Sequence, residues 1–143
     1  MRREKFLLGF FAVLFVGLVA WRVRQYAAVQ PLEMPAAVGD DEAEQLHLVA
    51  GGRYLQTDIE LNGETVPARR YRGFQARHDT DPQPGDRLCP ITRTKSNPAC
   101  TWHVGGRAYE FCCPPCIDEF VRLAKEQPEL ILPPDAYVQA PDS

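Results

Sequence analysis

Residues 89–120 read CPITRTKSNPACTWHVGGRAYEFCCPPCIDEF, and this stretch decides the fold. It contains all 5 cysteines of the chain. Within it, Val104-Gly105-Gly106-Arg107 predicts a tight hairpin, because a Gly-Gly pair tolerates positive φ at both turn positions. Strands that pair outward from this turn place 104 opposite 107, 102 opposite 109 and 100 opposite 111. One face of the predicted hairpin is then apolar and must pack against another element; it carries Cys100, Trp102, Val104, Tyr109 and Phe111.

A helix is predicted directly after the second strand. Cys112 and Cys113 end the strand, and Pro114-Pro115 suit the first turn of a helix, where no backbone N–H is needed. Apolar residues then recur at helical spacing, which indicates an amphipathic helix that ends near Glu126, before Pro128. The residues of this apolar stripe are Cys116, Ile117, Phe120, Val121 and Ala124.

Three of the cysteines are suited to bind a metal ion. Cys116 lies in the first helical turn and Cys112 just upstream, where the helix dipole and free N–H groups favour thiolate over thiol. Cys89 supplies a third thiolate from a separate turn. Thiolates are preferred ligands of soft ions, so we predict a zinc or copper site at Cys89, Cys112 and Cys116.

The fourth coordination position stays open at this level, with four candidates. Cys100 falls on the apolar face of the hairpin, which favours a buried core thiol. His103 falls on the opposite face, which favours a surface histidine, and His78 begins a polar, turn-rich stretch. Cys113 directly follows Cys112, and adjacent residues rarely bind one tetrahedral ion; it is either a spare thiol or engages a metal during transfer.

The pattern resembles the YHS domain, part of the TRASH group of treble-clef-like metal-binding modules. The shared features are a cysteine in a short turn (the knuckle, which begins at Cys89), a hairpin with Gly at its tip, and Tyr109-x-Phe111-Cys112-x3-Cys116 opening a helix. The resemblance covers residues 86–133 and implies a small α+β module that binds zinc, copper or related ions in trafficking, sensing or resistance. By position it implies the ligands Cys89, Cys112 and Cys116.

The chain departs from this pattern at two positions of the knuckle. Relatives commonly have Gly where this chain has Arg93, and some have a second cysteine near Thr92. Residues 46–85 also resemble the N-terminal extension of small membrane-tethered YHS-like proteins of planctomycete-type bacteria. The resemblance therefore implies a bacterial, membrane-anchored metal-binding protein with one thiolate fewer than the richest knuckles.

The N-terminus predicts a membrane anchor over residues 1–24. From Phe6 to Trp21 every residue is apolar or glycine, flanked by basic residues on both sides. This run is short, but snorkelling of the flanking arginines allows it to span. The three basic residues ahead of it favour a cytoplasmic N-terminus. We therefore expect a single-pass protein of the inner (cytoplasmic) membrane with its C-terminal part extracytoplasmic, or periplasmic; the alternatives are a cleaved signal peptide and a buried core helix.

The rest of the chain divides into four further segments. Residues 25–45 mix Pro, Ala and acids and predict a flexible spacer. Residues 46–85 form an extension of the soluble domain, with a helical turn over 58–62 and a short strand over 66–74. The turn is opened by a capping-box pattern, in which the Thr57 hydroxyl precedes the Glu60 carboxylate by three residues. The metal-binding module occupies 86–133, and 134–143 is a C-terminal tail.

Composition and motifs narrow the function. The first 24 residues carry five basic residues and one acidic residue, a net charge of +4, against −3 for the whole chain, so the remainder carries −7. This acidity argues against nucleic-acid binding through a basic face. No paired-carboxylate, HExxH or Ser/His/Asp pattern is visible, so we expect a binding protein rather than an enzyme. Two alternatives remain: a thiol-disulfide redox protein using Cys113-Pro-Pro-Cys116, and a disulfide-stapled interaction domain.

Overall fold

The computed structural model describes residues 35–141. Its architecture is α+β, with one two-stranded antiparallel sheet and four α-helices. The predicted anchor, residues 1–24, lies outside this part of the chain, and so does the first part of the predicted spacer. None of the helices between residues 35 and 141 has the length and apolar character needed to cross a bilayer. The elements are α1 Asp40–His47, α2 Gln56–Leu61, α3 Pro67–Arg70, β1 Asn97–Val104, β2 Arg107–Phe111 and α4 Pro114–Glu126, followed by 3₁₀ turns at Pro128–Leu130 and Pro134–Ala136.

The predicted hairpin is confirmed in its turn and its inner register. Val104 lies opposite Arg107 and Trp102 opposite Tyr109. Gly105 and Gly106 both have positive φ, 61° and 73°, as the two-residue turn requires. The expected pairing of Cys100 with Phe111 is wrong: Phe111 lies opposite Asn97, because β1 contains an irregularity between Asn97 and Thr101. The apolar face keeps its residues despite this bulge; Cys100, Trp102, Val104, Tyr109 and Phe111 are all buried.

Helix α4 packs against that face and begins and ends where the sequence predicts. Pro114 opens it, Glu126 ends it, and its apolar stripe is buried. The ring of Phe120 lies 4.7 Å from that of Tyr109 and 5.4 Å from that of Phe111, measured between centroids. Burying rings of this size contributes most of the apolar area of a small core. The hairpin and α4 therefore form the centre of the fold.

Helix α1 lies partly within the segment predicted as a flexible spacer. Residues 40–45 are helical, so the start of ordered structure that we placed at residue 46 is too late. The cause is a buried pair: Nε2 of His47 lies 2.7 Å from Oδ1 of Asp118 on α4, and His47 is completely buried. Its ring also meets Trp102 edge-on, with centroids 5.4 Å apart. The polar residues 40–45 are therefore helical because His47, at the end of the same helix, is buried in the core.

Helix α2 begins at Gln56, two residues before the predicted turn, and it fixes the hairpin tip. The carboxylate of Asp58 accepts hydrogen bonds from the N–H groups of Leu55, Gly105 and Gly106, at 2.7 to 2.8 Å. The capping carboxylate is therefore Asp58 rather than Glu60 of the predicted box. Asn62 pairs with the backbone of His103 in both directions, at 2.8 and 2.9 Å, as a neighbouring strand would.

The strand predicted over residues 66–74 is wrong, because residues 67–70 form the short helix α3. Pro67 occupies its first turn, where a missing N–H costs nothing. The hydroxyl of Tyr71 accepts a hydrogen bond from Thr101 N–H and donates one to its carbonyl. The edge of β1 is thus covered by side chains of Asn62 and Tyr71 instead of by a third strand.

The C-terminal segment belongs to the same core rather than forming a separate tail after residue 133. Tyr137 is buried, and its carbonyl accepts a hydrogen bond from Leu88 N–H at 2.9 Å. Gln139 N–H donates to Asp86 at 2.8 Å. At the other end of α4, Arg53 N–H donates to Ala124 at 2.7 Å, and a Cβ at Gly52 would lie 2.5 Å from a backbone oxygen. The segment around Tyr137 thus joins the start of the knuckle, and the segment around Arg53 joins the C-terminal end of α4.

Candidate metal centre

The knuckle is a tight loop over residues 89–94 that carries Cys89 into the core. Cys89 N–H donates to the carbonyl of Thr94 at 2.8 Å, and Arg93 N–H donates to the carbonyl of Cys89 at 2.9 Å. These bonds close the loop on itself and leave the Cys89 side chain completely buried. Leu88 and Lys95 form an antiparallel bridge at its base.

Arg93 is a residue of the knuckle with an unusual backbone conformation. Its φ is 59°, in the left-handed region that glycine adopts without steric cost. The guanidinium carbon lies 4.7 Å from the ring centroid of Tyr137, a cation–π distance. This contact offsets part of the cost of the left-handed backbone. The knuckle therefore has the conformation that a glycine there would favour, although the residue is arginine.

Cys112 and Cys116 enter the site from the junction of β2 and α4. Cys113 is the residue that precedes the helix, and Cys116 N–H donates to its carbonyl at 3.2 Å. Pro114 and Pro115 contribute no N–H groups at this end of the helix. The first turn of α4 therefore offers fewer free N–H groups to the thiols than we expected. The thiols interact mainly with one another.

The structure brings Cys89, Cys112 and Cys116 together as the sequence predicts. Their sulfur atoms all lie within 4.8 Å of one another, and those of Cys112 and Cys116 are 3.5 Å apart. All three residues are completely buried. With zinc–sulfur bonds of about 2.3 Å, tetrahedral thiolates lie about 3.8 Å apart. The three sulfurs fit a soft metal ion with small adjustments.

Thr92 contributes a polar contact that the sequence did not predict. Its hydroxyl oxygen lies 3.3 Å from the sulfur of Cys112 and 2.8 Å from the hydroxyl oxygen of Thr94. Both threonines are buried. A hydroxyl at this position can donate to a thiolate and stabilise its charge. Thr92 thus lies beside the three-sulfur group, in contact with one of its sulfurs.

The four additional candidates lie outside the three-thiol group. The sulfur of Cys113 is nevertheless 3.3 Å from that of Cys116 and 3.8 Å from that of Cys112. Cys100 is a core thiol, and burial raises its pKa to about 12, which keeps it protonated. His103 is engaged through its backbone by Asn62, and His78 is only half-buried.

The thiols of Cys112, Cys113 and Cys116 form hydrogen bonds with one another, and these bonds shift the pKa values of Cys113 and Cys116 in opposite directions. Thiol groups of Cys112 and Cys116 donate toward the sulfur of Cys113 and hold its pKa below the ordinary value. The pKa of Cys116 is raised, because the sulfurs of Cys112 and Cys113 accept its proton. All five cysteines, each within the described part of the chain, are free thiols. A cation that binds these sulfurs displaces their protons to water.

Comparisons of the chain with models of protein families, with curated proteins and with solved structures gave no match. A mixed α/β core with a buried three-cysteine group that can hold a metal ion is the class of site that the structure defines.

Proposed function

We propose that this protein binds one zinc or copper(I) ion through Cys89, Cys112 and Cys116. The observation that carries this proposal is the convergence of three buried sulfurs, from two distant segments, within 4.8 Å. Buried charges in proteins are paired or coordinate metals, so these three sulfurs can all be thiolates only when a cation lies between them. The knuckle and the β2–α4 junction orient the sulfurs, and the surrounding core excludes water.

We further propose that residues 86–133 form a YHS/TRASH-type, treble-clef-like module. The order of knuckle, hairpin and helix supports this assignment, as does the left-handed conformation of Arg93. The N-terminal apolar segment would tether the module to the inner membrane on its extracytoplasmic side. A tethered ion-binding module of this kind suits metal trafficking, sensing or resistance.

Metal removal tests the proposal. The full chain, purified in detergent under reducing anaerobic conditions, should melt at a higher temperature with one equivalent of zinc or copper(I) than after chelation. An ion present at about 1,000 times its dissociation constant stabilises the folded state by about 4 kcal/mol. Because the ligands must lose protons, the difference should shrink as the pH falls. Identical melting curves with and without either ion would contradict the proposal.

A thiol-disulfide exchange function has one observation in its favour. The sulfurs of Cys113 and Cys116 are 3.3 Å apart in a C-x-x-C at a helix start. Attack on a substrate disulfide requires the two substrate sulfurs to line up with the Cys113 sulfur, and a residue that is 5% exposed leaves less room for such a substrate than for a single ion. Reduction of a model disulfide by Cys89→Ser at a rate well above that of free cysteine would favour this alternative.

Thr92→Cys is expected to convert the site into a four-thiolate centre. The Thr92 hydroxyl lies 3.3 Å from the Cys112 sulfur, close to the spacing of neighbouring thiolates around zinc. Zinc strongly prefers four ligands, so its affinity should rise by about 10-fold or more in a competitive chelator titration. The control is Thr92→Ser, which keeps the hydroxyl and should match the wild type. An unchanged zinc affinity in Thr92→Cys would place the ion elsewhere.

A further inference from the structure

Four of the five cysteine sulfurs form two overlapping sets that share one edge. The first set is Cys89, Cys112 and Cys116, and the second replaces Cys89 by Cys113. In the second set, the sulfur distances are 3.3 Å for Cys113–Cys116, 3.5 Å for Cys112–Cys116 and 3.8 Å for Cys112–Cys113. These distances are as compatible with a three-thiolate site as those of the first set.

The two sets differ in their access to solvent. Cys89, Cys112 and Cys116 are 0% exposed, whereas Cys113 is 5% exposed. Cys113 also precedes the first residue of α4, as the N-cap of the helix. Of the four residues, Cys113 is therefore the one with any exposed surface, and it is a ligand in the second set but not in the first.

Resting on the proposed metal binding, we infer that Cys113 is an exchange ligand through which copper(I) enters and leaves the buried site. The ion moves between the Cys89–Cys112–Cys116 set and the Cys112–Cys113–Cys116 set. Copper(I) is the ion that this step suits, because soft thiolate ligands select it and it accepts three of them, whereas structural zinc prefers four.

The exchange balances without a change in oxidation state. On the way out, the Cys113 thiol loses its proton to water and its thiolate forms a copper–sulfur bond. The bond from copper to Cys89 then breaks, and the Cys89 thiolate takes up a proton. Copper remains Cu(I) and has four sulfur ligands between the two events and three before and after them, so it never has to pass through a site with two.

Single and double serine variants of the full chain in detergent test whether the second set, Cys112, Cys113 and Cys116, binds copper(I) at equilibrium. Cys89→Ser should retain about one equivalent of copper(I) with weakened affinity, because Cys112, Cys113 and Cys116 remain. Cys89→Ser/Cys113→Ser should lose it, because only two thiolates of the cluster remain. Copper lost from the folded single variant, as judged by circular dichroism, would overturn the inference.

A transfer rate tests the same inference in a variant that keeps the buried set intact. Copper(I)-loaded Cys113→Ser should still hold about one equivalent, because Cys89, Cys112 and Cys116 remain, with an affinity lowered by no more than about 10-fold. It should release copper to an excess of a chromophoric copper(I) chelator about 10-fold more slowly in stopped-flow mixing. Equal rates would overturn the inference, and so would an affinity loss above about 10-fold, which would make Cys113 a permanent ligand.

The same experiment separates this inference from the proposed function. A wild-type chain that binds zinc but not copper(I) would overturn the exchange step and leave the metal-binding proposal standing. A wild-type chain that binds neither ion would overturn both.

Discussion

Cys116→Ser is expected to reduce bound metal from about one equivalent to near zero. Cys116 belongs to both three-sulfur sets, and its sulfur lies 3.5 Å from that of Cys112 and 3.3 Å from that of Cys113. A hydroxyl in its place is a poor ligand for a soft ion, and two thiolates without a third hold it weakly. The stabilisation that metal gives the folded state should disappear with the ion. Elemental analysis and thermal unfolding measure the two effects.

The matched control is Cys113→Ser, which makes the same chemical change three residues earlier and leaves Cys89, Cys112 and Cys116 intact. Its metal content should remain at about one equivalent. A Cys116→Ser protein with wild-type metal content would contradict the ligand assignment. Metal loss in both variants would instead show that all the sulfurs of the β2–α4 junction bind the ion together.

Asp58→Asn is expected to have the largest effect on stability away from the cysteines. The Asp58 carboxylate is completely buried and accepts three backbone hydrogen bonds, two of them from the hairpin tip. The amide keeps the shape but replaces one acceptor oxygen by a donor that faces N–H groups. Hydrogen bonds to a charged group contribute about 1.5–3 kcal/mol each, so we expect a loss of about 2–4 kcal/mol.

Thermal unfolding by circular dichroism measures this loss, which corresponds to a fall in Tm of about 10–20 °C for a domain of this size. Glu60→Gln is the control, because it removes the same charge from an exposed position on the same helix. It should leave the Tm nearly unchanged. Similar Tm values for the two variants would show that the hairpin tip is held by its glycines alone.

The sequence predicted the centre of the fold because its signals there are local. The Gly105-Gly106 turn, the alternation of apolar residues around it and the proline pair before α4 each act within a few residues. Together they fix the hairpin, the helix and the meeting of Cys112 with Cys116. Cys89 joins them from more than 20 residues away, and its place was predicted from the spacing and the resemblance.

The contacts that sequence reasoning missed are long-range and polar. His47 pairs with Asp118, and Asp58 accepts from the hairpin tip, yet neither residue belongs to an apolar pattern that marks it as buried. The strand predicted at 66–74 failed because Asn62 and Tyr71 already cover the edge of β1. The contact of Thr92 with Cys112 was not predicted, because a threonine in a turn usually bonds its own backbone.

These missed contacts explain how a small, proline-rich chain supports a buried thiol cluster. Asp58 and Asn62 hold the hairpin tip, while His47 attaches α1 to α4. The segment after residue 133 returns to the base of the knuckle, where Tyr137 bonds Leu88 and supports Arg93. Each contact positions one of the segments that carry the sulfurs, so we expect metal affinity and fold stability to change together.

A count of metal and accessible thiols in the full chain is the most direct test of metal binding by Cys89, Cys112 and Cys116. Protein purified anaerobically in detergent is analysed for zinc and copper, and its thiols are titrated before and after chelation. We expect about one equivalent of metal, with about three thiols that become reactive only when the metal is removed. A protein that carries no metal and has four of its five cysteines in two disulfides would contradict it.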